Sequence, residues 1–178
     1  MVVRVGERNA IILGRDSMYP PHIAFYLAHE IAHIALGHLA DGSVLVDLES
    51  DKLAIGNDDV EEREADRFAL EVLTGYAEPK VLPKWETYSA RELARVANDA
   101  GPELGIEPGT LSLCFGYSTG DWATANAAIG RIYRRPSPVW EEINRAALAQ
   151  LVLDLLPDDA QNYVQAILGT SELNALDS

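Results

Sequence analysis

The stretch His29-Glu30-Ile31-Ala32-His33 decides how the rest of this chain can be organised. Two histidines four residues apart on a helix point about 40° apart around its axis, one turn above each other. Both imidazoles can therefore reach a single metal ion, as in the zinc-binding pattern H-E-x-x-H. Glu30 lies about 100° around the helix from His29, so it borders such an ion without occupying a histidine position. A carboxylate there can accept a proton from water, which is the role of the base in zinc peptidases.

Five residues also fit a helix whose histidines are merely solvated or paired with other groups. The surrounding sequence favours the metal site. We predict a helix from about His22 to Leu36 that is apolar on nearly all sides, and a helix of that kind is buried. Burying two imidazoles and a carboxylate without partners would be costly. A metal ion would satisfy both imidazoles at once.

A second predicted helix, from about residue 58 to Leu73, is acidic. Glu62 and Asp66 are four residues apart on it, so they share one face with two alanines. A zinc site needs a third protein ligand, and a carboxylate on a separate helix can supply it. We therefore predict Glu62 as the third ligand, and Asp66 as the acceptor that fixes the tautomer of a ligand imidazole. The alternative is a solvated face with weak intrahelical ion pairs, which we adopt for Glu61 and Glu64.

Two further histidines are not predicted to bind the metal. The longer zinc pattern H-E-x-x-H-x-x-G-x-x-H would need glycine at position 36 and histidine at position 39, and the chain has leucine at both. His38 would lie about 140° from His33 if the helix continued, so we interpret it as a surface or helix-capping histidine. His22 is two turns, about 10 Å, from His29, which is too far to share an ion. We interpret it as a helix-start histidine, with a place along a substrate cleft as the alternative.

These motifs together resemble the ImmA/IrrE-like metallopeptidases. The resemblance covers roughly residues 10–75 and rests on three pieces of sequence: the pentapeptide at 29–33, Leu36-Gly37-His38, and Glu62-x-x-Ala65-Asp66-x-Phe68-Ala69-x-x-x-Leu73. The region after residue 76 matches only loosely. The resemblance implies one zinc ion with Glu30 as the catalytic base and three ligands, His29, His33 and Glu62.

The resemblance also implies a substrate class. Members of this family typically act on helix-turn-helix repressors, often within a toxin–antitoxin system, so we expect a zinc-dependent endopeptidase that cleaves such a repressor or an antitoxin-type regulator. A non-cleaving regulatory module with a structural metal site is the main alternative, as an anti-repressor or a toxin–antitoxin component. A general small peptidase without a link to repressors is a third possibility. The sequence does not identify the group that would stabilise the oxyanion, although Tyr76, Tyr88 and Tyr117 are candidates.

Composition and charge limit the kinds of partner that we expect the protein to bind and the compartment in which we expect it. The chain has 178 residues, of which 48% are hydrophobic, and a net charge of −14. Such an acidic protein is repelled by phosphate backbones, so we expect no direct nucleic-acid binding, whereas a basic protein partner is compatible. The single cysteine, Cys114, excludes an internal disulfide, and its apolar neighbours indicate a buried thiol. The sequence has neither an apolar run of 18 residues nor the layout of a signal peptide, so we expect no membrane span and a cytoplasmic location.

The remaining pattern predicts an α+β fold in two parts. Residues 1–76 are expected to form a zinc metallopeptidase core, in which a small β-sheet packs beside a gluzincin-like two-helix zinc site. Its strands are predicted at Val2–Val5 and Ala10–Leu13, as a hairpin, and at Ser43–Leu48. Residues 77–178 are expected to be mostly helical and to pack on the core as a lid or a docking surface, because helices this short are unstable alone.

Capping residues, glycines and prolines set the bounds of the predicted helices in this second part. A capping box at Ser89 opens a helix that stops at Gly101-Pro102. A loop is predicted at Gly116–Gly120, and Asp121 caps the helix that follows. Two more helices are predicted at Val139–Leu156 and at Pro157–Leu168.

Overall fold

The chain is mostly helical and carries one small antiparallel sheet. The computed structural model describes residues 2–5, 8–14, 17–39, 44–45, 60–76, 78, 88–135 and 137–169. The start of the second predicted helix, at residues 58 and 59, lies outside these residues. None of the helices in the described ranges combines the length and hydrophobicity needed to cross a bilayer.

The sheet has the strand order β2-β1-β3, with both pairs antiparallel. Strand β1 is Val2–Val5, β2 is Arg8–Ile11 and β3 is Val44–Leu45. Val2 pairs with Ile11 on one side and with Leu45 on the other, and it is fully buried. The predicted hairpin is confirmed, although β2 begins two residues earlier than predicted. The turn residues 6 and 7, and the ends of the predicted third strand, lie outside the described residues.

Helix α1, Pro20–Ala35, carries the pentapeptide. Its two prolines occupy the first turn, where no intrahelical N–H bond is lost. Gly37 follows the helix with a φ of 77°, a conformation that favours glycine and ends the helix. Leu27 and Ile31 are 38% and 41% exposed, so the expectation of an apolar helix covered on nearly all sides is wrong. The hydrophobicity of a helix does not show which of its apolar faces packs against another part of the protein.

Helix α2, Val60–Thr74, packs along α1. The side of α2 that faces the core presents Ala65 and Ala69, both completely buried. Small side chains at these two positions let the helix axes approach closely. The close approach brings the acidic positions of α2 beside the histidines of α1.

Three further helices form a layer against this pair. They are α3, Ala90–Leu104, α4, Pro108–Thr119, and α5, Trp122–Ile132. Helix α4 contacts α1 and α2 on one side and α3 and α5 on the other, and eight consecutive residues from Gly109 to Gly116 are buried. Cys114 is 1% exposed and burial raises the pKa of its thiol to about 12, so the predicted buried thiol is confirmed. The division of the chain at residue 76 stays a prediction.

Two breaks predicted from glycine and proline do not occur. Pro102 lies inside α3, which ends at Leu104 and is followed by Gly105 with a φ of 67°. Because Gly101 has no Cβ, it avoids the clash that a proline usually imposes on the residue before it. The predicted loop at 116–120 is also wrong, since Gly116 is a buried helical residue of α4. A Cβ at Gly116 would lie 2.7 Å from the ring of Trp122, so this glycine permits close packing rather than a turn.

The last helices are short and contain no buried residue in the described part of the chain. Helix α6 covers Val139–Leu148, a single 3₁₀ turn covers Leu153–Leu155, and α7 covers Asp158–Ile167. The prediction of one helix to Leu156 is therefore wrong. Leu151, which lies within this predicted helix, is 47% exposed. A helix extension without a packing partner gains too little to persist.

Candidate metal centre

Three predicted metal ligands converge where α1 and α2 lie side by side. The Nε2 atoms of His29 and His33 are 3.1 Å apart. The carboxylate of Glu62 spans the two rings, with Oε2 3.2 Å from His29 Nε2 and Oε1 3.5 Å from His33 Nε2. No other cluster of three histidine, cysteine or carboxylate side chains within the described ranges brings its ligand atoms this close together.

These separations fit a metal ion of the size of zinc. Bonds of about 2.0–2.1 Å in a tetrahedral arrangement place neighbouring ligand atoms roughly 3.3 Å apart. The three measured separations, 3.1, 3.2 and 3.5 Å, bracket this value. Two imidazoles and one carboxylate are also a donor set of catalytic zinc sites, in which the fourth position stays open to water or substrate. The residues therefore could hold one metal ion.

The charges of the site favour an ionised carboxylate beside the histidines. Burial disfavours the protonated form of His29, but hydrogen bonds and charges of Asp66 and Glu62 outweigh it and raise the His29 pKa to about 9. The hydrogen bond from His29 in turn lowers the pKa of Glu62. Burial and the charge of His29 lower the pKa of His33. Protons and a metal ion thus compete for the same lone pairs.

Asp66 holds His29 from the opposite side of the imidazole ring. Its Oδ1 lies 2.9 Å from His29 Nδ1, which leaves Nε2 directed towards His33 and Glu62. A hydrogen bond of this kind fixes the tautomer and the orientation of a ligand histidine. The structure therefore places Asp66 where the helix spacing predicted it.

Tyr117 on α4 reaches the same carboxylate, a contact that was not predicted from the sequence. Its hydroxyl donates to Asp66 Oδ2 at 3.4 Å. Burial, together with the charge of Asp66, raises the pKa of Tyr117 to about 12, so the hydroxyl keeps its proton at neutral pH. It lies on the Nδ1 side of His29, whereas an ion would lie on the Nε2 side. Of the other two tyrosines, Tyr88 packs on the ring of Phe115 and Tyr76 is 54% exposed.

His38 is not the surface histidine that the sequence suggested. Its side chain is only 7% exposed, and its Nδ1 lies 3.0 Å from Nδ1 of His33. Its Nε2 lies 3.3 Å from Oε2 of Glu64, a side chain that is itself 57% exposed. The extrapolation along the helix failed because α1 ends at Ala35 and Gly37 then turns the chain back.

The remaining polar residues of α1 occupy different surroundings. Glu30 is 7% exposed, and its carboxylate is close enough to His33 to act on the pKa of that imidazole. His22 contacts Ser17 Oγ through Nδ1 and Asn126 Oδ1 through Nε2, each at 3.0 Å. These contacts connect the start of α1 to α5, and the helix runs without a break for two turns from His22 to His29. His22 also lines a pocket with Tyr117 and Trp122, so a place along a substrate cleft stays the alternative.

One comparison with known proteins identifies the family of the chain. The family model described as the IrrE N-terminal-like domain of peptidase family M78 matches residues 3–98, which is more than half of the chain. The match extends beyond the resemblance seen at residues 10–75 and includes the sheet, except Val2, and the first part of α3. No curated protein and no solved structure shows significant similarity to the chain. The resemblance noted in the sequence is confirmed, and the chain belongs to the peptidase M78 family, whose IrrE N-terminal-like domain it contains.

Proposed function

We propose that this protein is a zinc-dependent endopeptidase with a gluzincin-like site. The observation that carries the proposal is the convergence of His29, His33 and Glu62 from two helices, beside the buried Glu30. In this arrangement one helix supplies two histidines and the next helix supplies the carboxylate ligand. Membership of a metallopeptidase family supports the same chemistry.

The side chains at the site have different roles in the proposed hydrolysis. A zinc ion, when bound, supplies a Lewis acid that polarises the peptide carbonyl and makes water more acidic. Glu30 accepts the proton of the attacking water and returns it to the leaving amine, as a general base and then a general acid. Its position on α1, next in sequence to His29, keeps the carboxylate at the edge of the site. Asp66 keeps the imidazole of His29 in the orientation that the site requires.

The proposed substrate is a helix-turn-helix repressor or an antitoxin-type regulator in the cytoplasm. The motif resemblance supports this class of substrate, because that family typically acts on such regulators. The net charge of −14 supports it as well. An acidic surface attracts a basic DNA-binding protein and speeds its encounter, whereas it repels the DNA itself.

The Glu30→Gln variant tests the proposal. We expect the wild-type protein to bind one zinc ion, measured by elemental analysis, and to cut a purified helix-turn-helix repressor into fragments that mass spectrometry identifies. Glu30→Gln should retain zinc and fold but lose cleavage by about 10²–10⁴-fold, the usual effect of removing a general base. Glu71→Gln, at an exposed position of α2, is the matched control and should cleave normally.

Three other outcomes would contradict the proposal, each in a different way. If Glu30→Gln and the wild-type protein inactivate the repressor equally without producing fragments, the protein is a binding module with a structural metal. If the wild-type protein cuts unrelated proteins as efficiently as repressors, it is a general peptidase. If the wild-type protein binds no zinc, the metal centre itself is wrong.

A further inference from the structure

A chain of contacts runs from His33 to the surface through His38 and Glu64. Nδ1 of His33 is 3.0 Å from Nδ1 of His38, and Nε2 of His38 is 3.3 Å from Oε2 of Glu64. The side chains of His33 and His38 are 3% and 7% exposed, so their contact is shielded from water. The sequence did not predict a role for His38 at the metal centre.

The partners determine which nitrogen carries each proton. A metal ion on Nε2 of His33 leaves Nδ1 of that ring as the protonated, donating nitrogen. Nδ1 of His38 must then be the acceptor, so the proton of a neutral His38 lies on Nε2. That N–H points to the carboxylate of Glu64, which accepts it. With this assignment, every nitrogen of the two imidazole rings has a partner. Reversing the tautomer of either ring would place two donors or two acceptors next to each other.

We infer that His38 is a positioning residue that holds His33 in the tautomer and orientation required for metal binding. This inference rests on the metal site proposed above. His38 does for His33 what Asp66 does for His29, and each contact lies on the Nδ1 side of its ring. Helix α2 therefore anchors both imidazoles, through Asp66 directly and through Glu64 by way of His38.

A matched pair of substitutions separates hydrogen bonding from space filling. In His38→Asn, the side-chain oxygen can occupy the position of the imidazole Nδ1 and accept the same hydrogen bond from His33. His38→Phe keeps the size of the ring but offers no acceptor. If His38 only filled space, the phenylalanine variant would be the better substitute.

The measurements are competitive zinc titration and the visible absorption spectrum of the cobalt(II)-substituted protein. We expect His38→Phe to lower zinc affinity by about 10–100-fold and to alter the cobalt spectrum, the usual effect of losing a group that orients a ligand. His38→Asn should restore most of the affinity and the wild-type spectrum. Glu64→Ala should have a smaller effect than His38→Phe, because this carboxylate is largely exposed and reaches His33 only through His38.

Nuclear magnetic resonance of the zinc-loaded wild-type protein provides an independent test that requires no substitution. Long-range nitrogen–hydrogen correlations should show the proton of His38 on Nε2 and that of His33 on Nδ1. A proton on Nδ1 of His38, or equal affinities of the wild-type and His38→Phe proteins, overturns this inference and leaves the metal centre intact. Equal losses in His38→Phe and His38→Asn also overturn it. A wild-type protein that binds neither zinc nor cobalt overturns the proposed metal centre itself.

Discussion

The hydroxyl of Tyr117 lies 3.4 Å from one oxygen of Asp66, and the other oxygen of that carboxylate lies 2.9 Å from Nδ1 of His29. A residue of α4 thus supports a ligand candidate of α1 through a carboxylate of α2. Tyr117 lies outside the region that matches the family model, which ends at residue 98. The part of the chain beyond the family match therefore contributes a side chain to the surroundings of the candidate metal centre.

Substitution of Asp66 tests this support. Asp66→Ala should weaken zinc binding by about 10–100-fold, because His29 loses the partner that fixes its tautomer. Tyr117→Phe should cause a clearly smaller loss, since Asp66 remains and loses only one of its two hydrogen bonds. Competitive zinc titration of both variants at one pH measures the difference. An effect of Tyr117→Phe that equals that of Asp66→Ala would contradict this expectation and would show that Asp66 orients His29 only when the tyrosine holds it.

Substitution of Glu62 tests the ligand set. Glu62→Ala should reduce metal affinity more than any other change on α2, because two imidazoles alone leave the centre incomplete. Glu61→Ala, one residue earlier on an exposed position, is the matched control and should leave affinity almost unchanged. Elemental analysis after dialysis gives the bound zinc. A normal zinc content in Glu62→Ala would contradict the assignment of this ligand.

Much of this site could be predicted because helix spacing is local and regular. His29 and His33 share a face by their four-residue spacing, and the same spacing placed Asp66 beside Glu62. His38 was misjudged for the opposite reason. It follows the end of α1, where the turn at Gly37, rather than the helical repeat, determines where a side chain points.

Zinc binding should release about one proton near neutral pH. In protein stripped by a chelator, Asp66 and Glu62 outweigh the effect of burial and raise the pKa of His29 to about 9, so zinc must displace its proton. The pKa values of His33 and Glu62 are lowered, so both are already deprotonated at neutral pH. Zinc affinity should therefore rise about tenfold per pH unit up to about pH 9 and then level off.

Calorimetric titrations in buffers of different ionisation enthalpy count the released protons. The Asp66→Asn variant is the control, because it removes the charge that raises the pKa of His29 and should release less than one proton. Zinc binding without proton release in the wild-type protein would show that His29 is neutral before the metal arrives.

The contact between α4 and α5 gives a prediction for stability. A Cβ at Gly116 would lie 2.7 Å from Cε3 of Trp122 and 3.0 Å from Cβ of Ala125. Gly116→Ala should destabilise the protein by about 1–3 kcal/mol, because overpacking outweighs the better helix propensity of alanine. Urea denaturation measures the change. In a Trp122→Leu background the same substitution should cost less, and a stabilised Gly116→Ala variant would contradict the packing described here.

Gly116 and Pro102 also show where sequence reasoning about the fold fails. Both residues usually interrupt helices, and both lie inside one here. Gly116 is required by the ring of Trp122, and Gly101, which precedes Pro102, has no Cβ to meet the proline ring. Contacts between helices override local propensity at such positions, and these contacts are not visible in a single sequence.

The placement of the ligand candidates on two different helices has a consequence for the lifetime of the protein. A metal ion held by α1 and α2 together is a reversible cross-link between residues 33 and 62, in a chain that has no disulfide to do the same. An ion that binds only the folded chain stabilises it by about 4.1 kcal/mol when its free concentration is a thousand times Kd. Metal supply would then set the abundance of the protein as well as its activity, and a cell short of the ion would lose both together through proteolysis of the unfolded chain.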